Sequence, residues 1–212
     1  MATLTATLVL LALPAAAAGE KPAGYRLGDK TLSTAPYTPA DLELLKKTVL
    51  FTQEDEKWLR ASRKVLEPQA EAILDIWYGF VGSTPHLLYY FQNQRGKPDA
   101  QYLGRVRARF RQWILDTADA NYNQDWLNYQ YEIARRHHRV AKNRTDAATG
   151  PDHIPARYVL GLLYPVTATL KPFLENSDYS PEEIDAMHQA WIKSVLMQVI
   201  LWSEPYMNRG DF

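Results

Sequence analysis

Two histidines stand side by side, His137 and His138, at the end of DWLNYQYEIARRHHR, in a chain with five histidines and no cysteine. On a helix His137 shares a stripe with Trp126, Gln130 and Ile133, while His138 shares one with Leu127, Tyr131 and Ala134. Only one of two neighbours can point into a core, and periodicity does not choose between them. Neutral imidazole is a common ligand for iron, so either ring could serve a metal. The competing reading is a last-turn histidine that answers the helix dipole or lies at the surface. Without cysteine there is no disulfide, thiolate metal site, iron–sulfur cluster or thioether attachment of a cofactor. Any metal must rest on histidine, carboxylate or tyrosine. Asp185 and His188 have the i, i+3 spacing of a helical metal site, but a di-iron bundle needs Glu-x-x-His twice and two further glutamates, and this chain has no such set. His86 and His153 fall at helix starts, where capping or exposure accounts for them, and His188 is expected at a surface or an interface.

The elements that must position these residues are all helical. From Pro39 onward, helix start signals precede apolar patterns of helical period, and no stretch alternates with period two for long enough to suggest a sheet. Thr38-Pro39 opens one helix and Thr52 caps the next. Pro68 begins a third that ends near Gly82, and Thr84-Pro85 starts a short fourth. Gln101 to Thr117 carries Leu103, Val106, Phe110, Trp113 and Ile114 on one stripe, with Arg105, Arg107, Arg109 and Arg111 mostly on the other, read as a solvated basic face. Asn123 caps the helix of the histidine pair, and the polar loop KNRTDAATGPDH follows. Pro155 opens a helix that Pro165 should kink. Ser180 to Glu183 is a capping box leading into a long helix to about Trp202. About eight helices joined by short loops result, with no repeat and no linker to a second or output domain.

Lys plus Arg and Asp plus Glu both number 24. A net charge of zero provides no field for nucleic acid or an anionic membrane. Six tryptophans, thirteen tyrosines and six phenylalanines suit a large flat apolar ligand, though on composition alone bulky core packing is the stronger reading. Residues 1–18 are compositionally separate: an apolar run from Leu4 to Leu13, a breaker at Pro14, then Ala16-Ala17-Ala18 as a cleavage-like site. No basic residue precedes Lys21, so a signal peptide and a misassigned N-terminal extension both remain open. The protein is exported or periplasmic under the first reading and cytoplasmic under the second. The run is too short for a stable membrane span.

Six segments, in order, carry a resemblance: ILDIWYGFVGSTPHLLYYF, RVRARFRQWILDT, DWLNYQYEIARRHHR, YPVTATLKPFL, AWIKSVLMQVILWSEPY and the terminal GDF. Together they resemble the protoglobin family, single-domain haem proteins related to the sensor domains of globin-coupled sensors. The likeness runs from about Lys21 to Phe212, within a single domain placed at 19–212. It implies an all-α globin-like fold with an additional N-terminal helix and a non-covalent haem b. It further implies that His137 is the proximal iron ligand and that His138 faces elsewhere. Trp77, Tyr78 and Phe110 match the distal side, Phe91, Leu162 and Val166 match pocket-lining positions, and Arg109 matches an arginine near the propionates. A phenol such as Tyr78 can donate to dioxygen, which gains negative charge on binding, more effectively than to carbon monoxide. Two features depart from the family: residues 1–18 are additional, and Arg135 stands where an aliphatic residue is usual.

The resemblance implies reversible binding of dioxygen, carbon monoxide or nitric oxide at a five-coordinate haem, as carrier or sensor. The alternative is an enzyme acting on nitric oxide or peroxide with a separate reductase, and a haem-free helical interaction module is the third reading. Against the enzyme, the distal side lacks a histidine and arginine pair for acid–base work. On the last helix Ile184, Met187, Trp191, Val195, Gln198 and Trp202 form one stripe, while Ile192, Leu196, Val199 and Ile200 extend the apolar surface. A helix so apolar around its circumference is expected to be buried on two sides. The resemblance implies that the second side meets a symmetry mate in a homodimer through the C-terminal helices, with Ile192 and Val199 at the contact and the Pro165 helix contributing.

Overall fold

The computed structural model describes residues 21–208 and 210–212. The leader-like stretch at 1–18 lies outside these residues. Among the described residues the chain forms nine α-helices: α1 Pro39–Thr48, α2 Gln53–Leu66, α3 Ala70–Ser83, α4 Pro85–Leu88, α5 Ala100–Asp119, α6 Gln124–His137, α7 Ala156–Gly161, α8 Leu163–Leu174 and α9 Pro181–Trp202. Short 3-10 turns follow α2, α4 and α9. There is no strand among these residues, only an isolated bridge between Gln92 and Pro98. None of their helices is long and apolar enough to cross a membrane.

Local sequence explains most of the helix starts. Thr38 with Asp41, Thr52 with Asp55 and Ser180 with Glu183 each close a capping box, in which hydroxyl and carboxylate satisfy backbone N–H groups reciprocally. Asp99 caps α5 from one residue earlier than the apolar pattern suggests, and Asn123 caps α6. Two expectations need correction. Pro68 does not open α3; it lies in the 3-10 turn Glu67–Gln69 that carries the chain from α2 directly into Ala70. Pro165 does more than kink a continuous helix. It has no N–H to bond the Gly161 carbonyl, and its ring crowds that oxygen. The helix therefore stops at Gly161 and restarts at Leu163. The proline inside a continuous helical run is Pro172, two residues before the end of α8.

Helix α9 lies at the centre, packed on α2, α6, α7 and α8, while α5 crosses α2 and α3. Three indoles, two buried and that of Trp202 partly so, stitch it in place. Trp191 donates to Ser62 Oγ of α2 at 2.9 Å, Trp202 donates to Gln130 Oε1 of α6 at 2.8 Å, and Trp113 of α5 donates to Gln198 Oε1 at 2.7 Å. Gln198, polar in an otherwise apolar stripe, is 1% exposed, and its amide also donates to Thr117 Oγ1 at 3.2 Å. The arginine face of α5 is paired rather than merely solvated. Arg107 reaches Glu71 and Asp75 at 2.8 Å, Arg111 reaches Glu71 at 3.3 Å, and Arg109 binds Asp146. His188, at the α8–α9 contact, bonds the Thr167 carbonyl at 3.0 Å, and Asp185 pairs with Lys171, so neither is free for a metal.

Two segments close over the ends of α5 and α6. The stretch before α1 is tied down by Tyr25 to Asp116 at 2.9 Å and by the Ala35 amide to Asn128 Oδ1 at 2.9 Å. The loop between α6 and α7 returns to the His137 carbonyl, which accepts from the Ile154 amide at 3.0 Å. Within that loop Asn143 Nδ2 donates to the Gly150 carbonyl at 2.7 Å. A Cβ at Gly150 would lie 1.8 Å from the Gln92 carbonyl oxygen. Gly150→Ala should therefore push the loop off the α4–α5 connection and cost roughly 1–3 kcal/mol, read as a lower midpoint in chemical denaturation; an unchanged midpoint would show that the loop yields freely.

Candidate functional site

Helices α3, α5, α6, α8 and α9, with the turn after α4 and the α6–α7 loop, enclose a cavity of about 240 Å³. Its wall is mainly apolar and aromatic. All eight residues singled out from sequence, Trp77, Tyr78, Phe91, Arg109, Phe110, His137, Leu162 and Val166, line it. Trp77 and Phe110 meet edge to face at 5.6 Å between ring centroids. Tyr78 sits between Phe91 at 6.3 Å and Phe110 at 6.5 Å. Its hydroxyl bonds no other described residue, and burial pushes its pKa well above the usual phenol value, so it stays protonated. It is a donor without an acceptor at the wall of an apolar space.

His137 belongs to the last turn of α6. Protein surrounds its ring, and the surface it keeps is cavity surface. Nδ1 lies 2.9 Å from the Ile133 carbonyl. A carbonyl oxygen can only accept, so Nδ1 carries the proton and Nε2 is left with its lone pair. Burial lowers the pKa of His137, which keeps the ring neutral, the form that binds metals. The Trp202 indole stacks on it at 5.4 Å and 20°, and is itself held by Gln130. This second layer sets the orientation of the imidazole.

His138 points elsewhere. It caps α6 with extended backbone and packs edge-on against His153 at 5.1 Å and Tyr206 at 5.0 Å. His153 neither caps a helix nor lies exposed, contrary to the reading of its position. It is half-buried in this ring cluster. Exposed His86, at the start of α4, agrees with that reading. Arg135 faces outward, where it holds Ser33 Oγ at 3.0 Å and is absent from the cavity wall.

Arg109 lines the cavity, yet its guanidinium is already occupied. Asp146 takes both terminal nitrogens at 2.5 and 3.0 Å, and the Ala23 carbonyl accepts at 2.8 Å. Sequence reasoning missed two other cations of the wall, Arg136 and Lys142. Arg136 is the immediate neighbour of His137, and Lys142 lies in a loop whose polarity reads as exposure. The wall also includes Val195, Val199 and Trp202 of α9. Val199 is thus buried within its own chain and is not available to a dimer contact.

The family model for protoglobin matches residues 38–211. Among solved structures, the chain is similar to the globin domain of a globin-coupled sensor from Geobacter sulfurreducens, with a TM-score of 0.63 and 17% identity, covering 79% of this chain and 98% of that one. No curated protein matches it. A globin family implies a haem, and the cavity fits one. It offers a neutral imidazole with a free Nε2 and a mainly apolar, aromatic wall, and Arg136, one of the lining cations, keeps a buried Nη2 that has no partner. The chain belongs to the protoglobin family, globin-type haem proteins that bind gases.

Proposed function

We propose that this chain binds dioxygen, carbon monoxide or nitric oxide reversibly at a non-covalent haem b, with His137 as the proximal ligand, as a carrier or sensor. One observation carries the reading: the hydrogen bond to Ile133 leaves Nε2 of a neutral His137 as the unshared nitrogen on a cavity wall. When bound, the haem supplies the iron that coordinates a gas. The chain supplies orientation, exclusion of water and one proton donor. Trp77 and Phe110, in mutual contact, narrow the distal side, and water that would promote oxidation is kept out. Tyr78 holds its proton and has no competing acceptor, so it donates to a ligand that gains negative charge.

His137→Gly should lose the axial imidazole, with the spectrum of the reduced protein recovering when free imidazole is added, while His138→Ala leaves that spectrum nearly unchanged. The opposite pattern would assign the ligand to His138. Tyr78→Phe should speed dioxygen release several-fold and carbon monoxide release much less, because a hydrogen bond of about 1 kcal/mol is removed from the more polarised ligand. Equal effects in stopped-flow measurements on both gases would leave Tyr78 a steric role alone.

We also propose a homodimer through the C-terminal helices. Its support is a half-buried apolar row on α9, Ile192, Leu196 and Ile200, away from the cavity wall, with Leu160 and Tyr164 exposed at the α7–α8 break. A charge at the centre of a two-fold contact is desolvated twice, so Ile192→Glu should run as a monomer with haem retained in light scattering coupled to absorbance. Wild-type protein that is already monomeric at micromolar concentration would remove the dimer.

A further inference from the structure

A buried ammonium with no carboxylate in ion-pair contact is unfavourable, and the chain carries one on the wall of its cavity. Lys142 is 3% exposed. Its Nζ bonds only neutral acceptors, the Tyr90 carbonyl at 3.0 Å, Asn143 Oδ1 at 3.3 Å and the Tyr102 hydroxyl at 3.5 Å. Asp146 of the same loop is the natural counter-ion, but it is bound to Arg109 and shared with Arg105 at 3.9 Å. Burial draws the Lys142 amine down to about 8 against the opposing, more distant charges of Asp152 and Asp146, which still leaves it mostly charged at neutral pH. In the last turn of α6, Arg136 donates from Nε to Glu132 at 2.9 Å and from Nη1 to the Gly24 carbonyl at 2.8 Å, and its Nη2 is buried with no acceptor.

Lys142, with no carboxylate in ion-pair contact, and Arg136, with one guanidinium N–H unfilled, both line a mainly apolar cavity, and cations so placed are complementary to anionic oxygens. We propose that Lys142 and Arg136 receive the carboxylates of the bound tetrapyrrole, its propionate side chains, and that Asp146 closes Arg109 to them. This assignment rests on the haem reading and adds which groups of the chain recognise the acid end of the ligand. It moves that role from Arg109, where the family resemblance puts it, to two residues on the proximal helix and the loop behind it. Arg109 instead holds the loop and the Ala23 segment in place.

The test compares haem b with its dimethyl ester, in which both carboxylates are neutral, by transfer of pigment from the loaded protein to excess apomyoglobin. Wild type should release the ester about tenfold faster than haem b. Lys142→Met and, separately, Arg136→Gln should release haem b faster while changing ester release little, so that the preference for the acid shrinks. Arg109→Gln should keep the preference. Far-UV circular dichroism confirms that each variant is folded, and the wild-type comparison stands even where a variant is not. The proposal is overturned if wild type releases both pigments equally, if Lys142→Met and Arg136→Gln accelerate both alike, or if Arg109→Gln is the variant that abolishes the preference. Wild type that takes up neither pigment, with no Soret band, would instead sink the haem reading itself.

Discussion

The cavity stands open because α9 is locked to three other helices by indole hydrogen bonds. Trp191 to Ser62, Trp113 to Gln198 and Trp202 to Gln130 each place a polar bond inside an apolar contact. An unpaired buried donor or acceptor costs about 1–3 kcal/mol, so each pair admits one register of the helices and penalises any slide. Trp202 belongs to both systems: its N–H fixes it to α6, and its face fixes the imidazole of His137. The orientation of the candidate iron ligand is therefore inherited from the packing of the core.

Charge is distributed on the same principle. Exposed pairs such as Lys30 with Asp125 contribute little. The consequential ones are enclosed: Arg109 with Asp146 at 11% and 3% side-chain exposure, and Arg136 with Glu132 at 11% and 10%. Removing one member of such a pair would leave an uncompensated buried charge, a loss of roughly 3–5 kcal/mol. The Arg109–Asp146 pair ties the α6–α7 loop to α5, and both arginines also hold the segment before α1 through the Ala23 and Gly24 carbonyls. Lys142 differs because its charge has no such partner, and the surrounding dipoles stabilise it only in part.

A shared globin fold leaves the chemistry to the side chains that line the cavity. The side chains here line one cavity: a neutral imidazole with one nitrogen tied down, a protonated phenol without an acceptor, and aromatic rings in edge-to-face contact.

By itself, the sequence determined the features that rest on neighbours a few residues apart. The capping boxes at Thr38, Thr52 and Ser180 and the break near Pro165 are of this kind, because cap and N3 residue, or proline and the carbonyl four residues back, meet within one turn. The wall residues Trp77, Tyr78 and Phe110 were legible through motif resemblance, and so was the position of His137 rather than His138 on the cavity wall, since two neighbours on a helix carry no difference that periodicity can register. Tertiary structure alone decided what depends on approach between distant segments. Arg109 lost its free donors to an aspartate 37 residues away. Val199 turned to the cavity although its stripe suggested an outer face. Lys142, in a loop of polar composition, became buried because the loop folds back to the His137 carbonyl and lays Gly150 against Gln92. Burial is a property of what covers a residue, and for a loop the covering elements come from elsewhere in the chain.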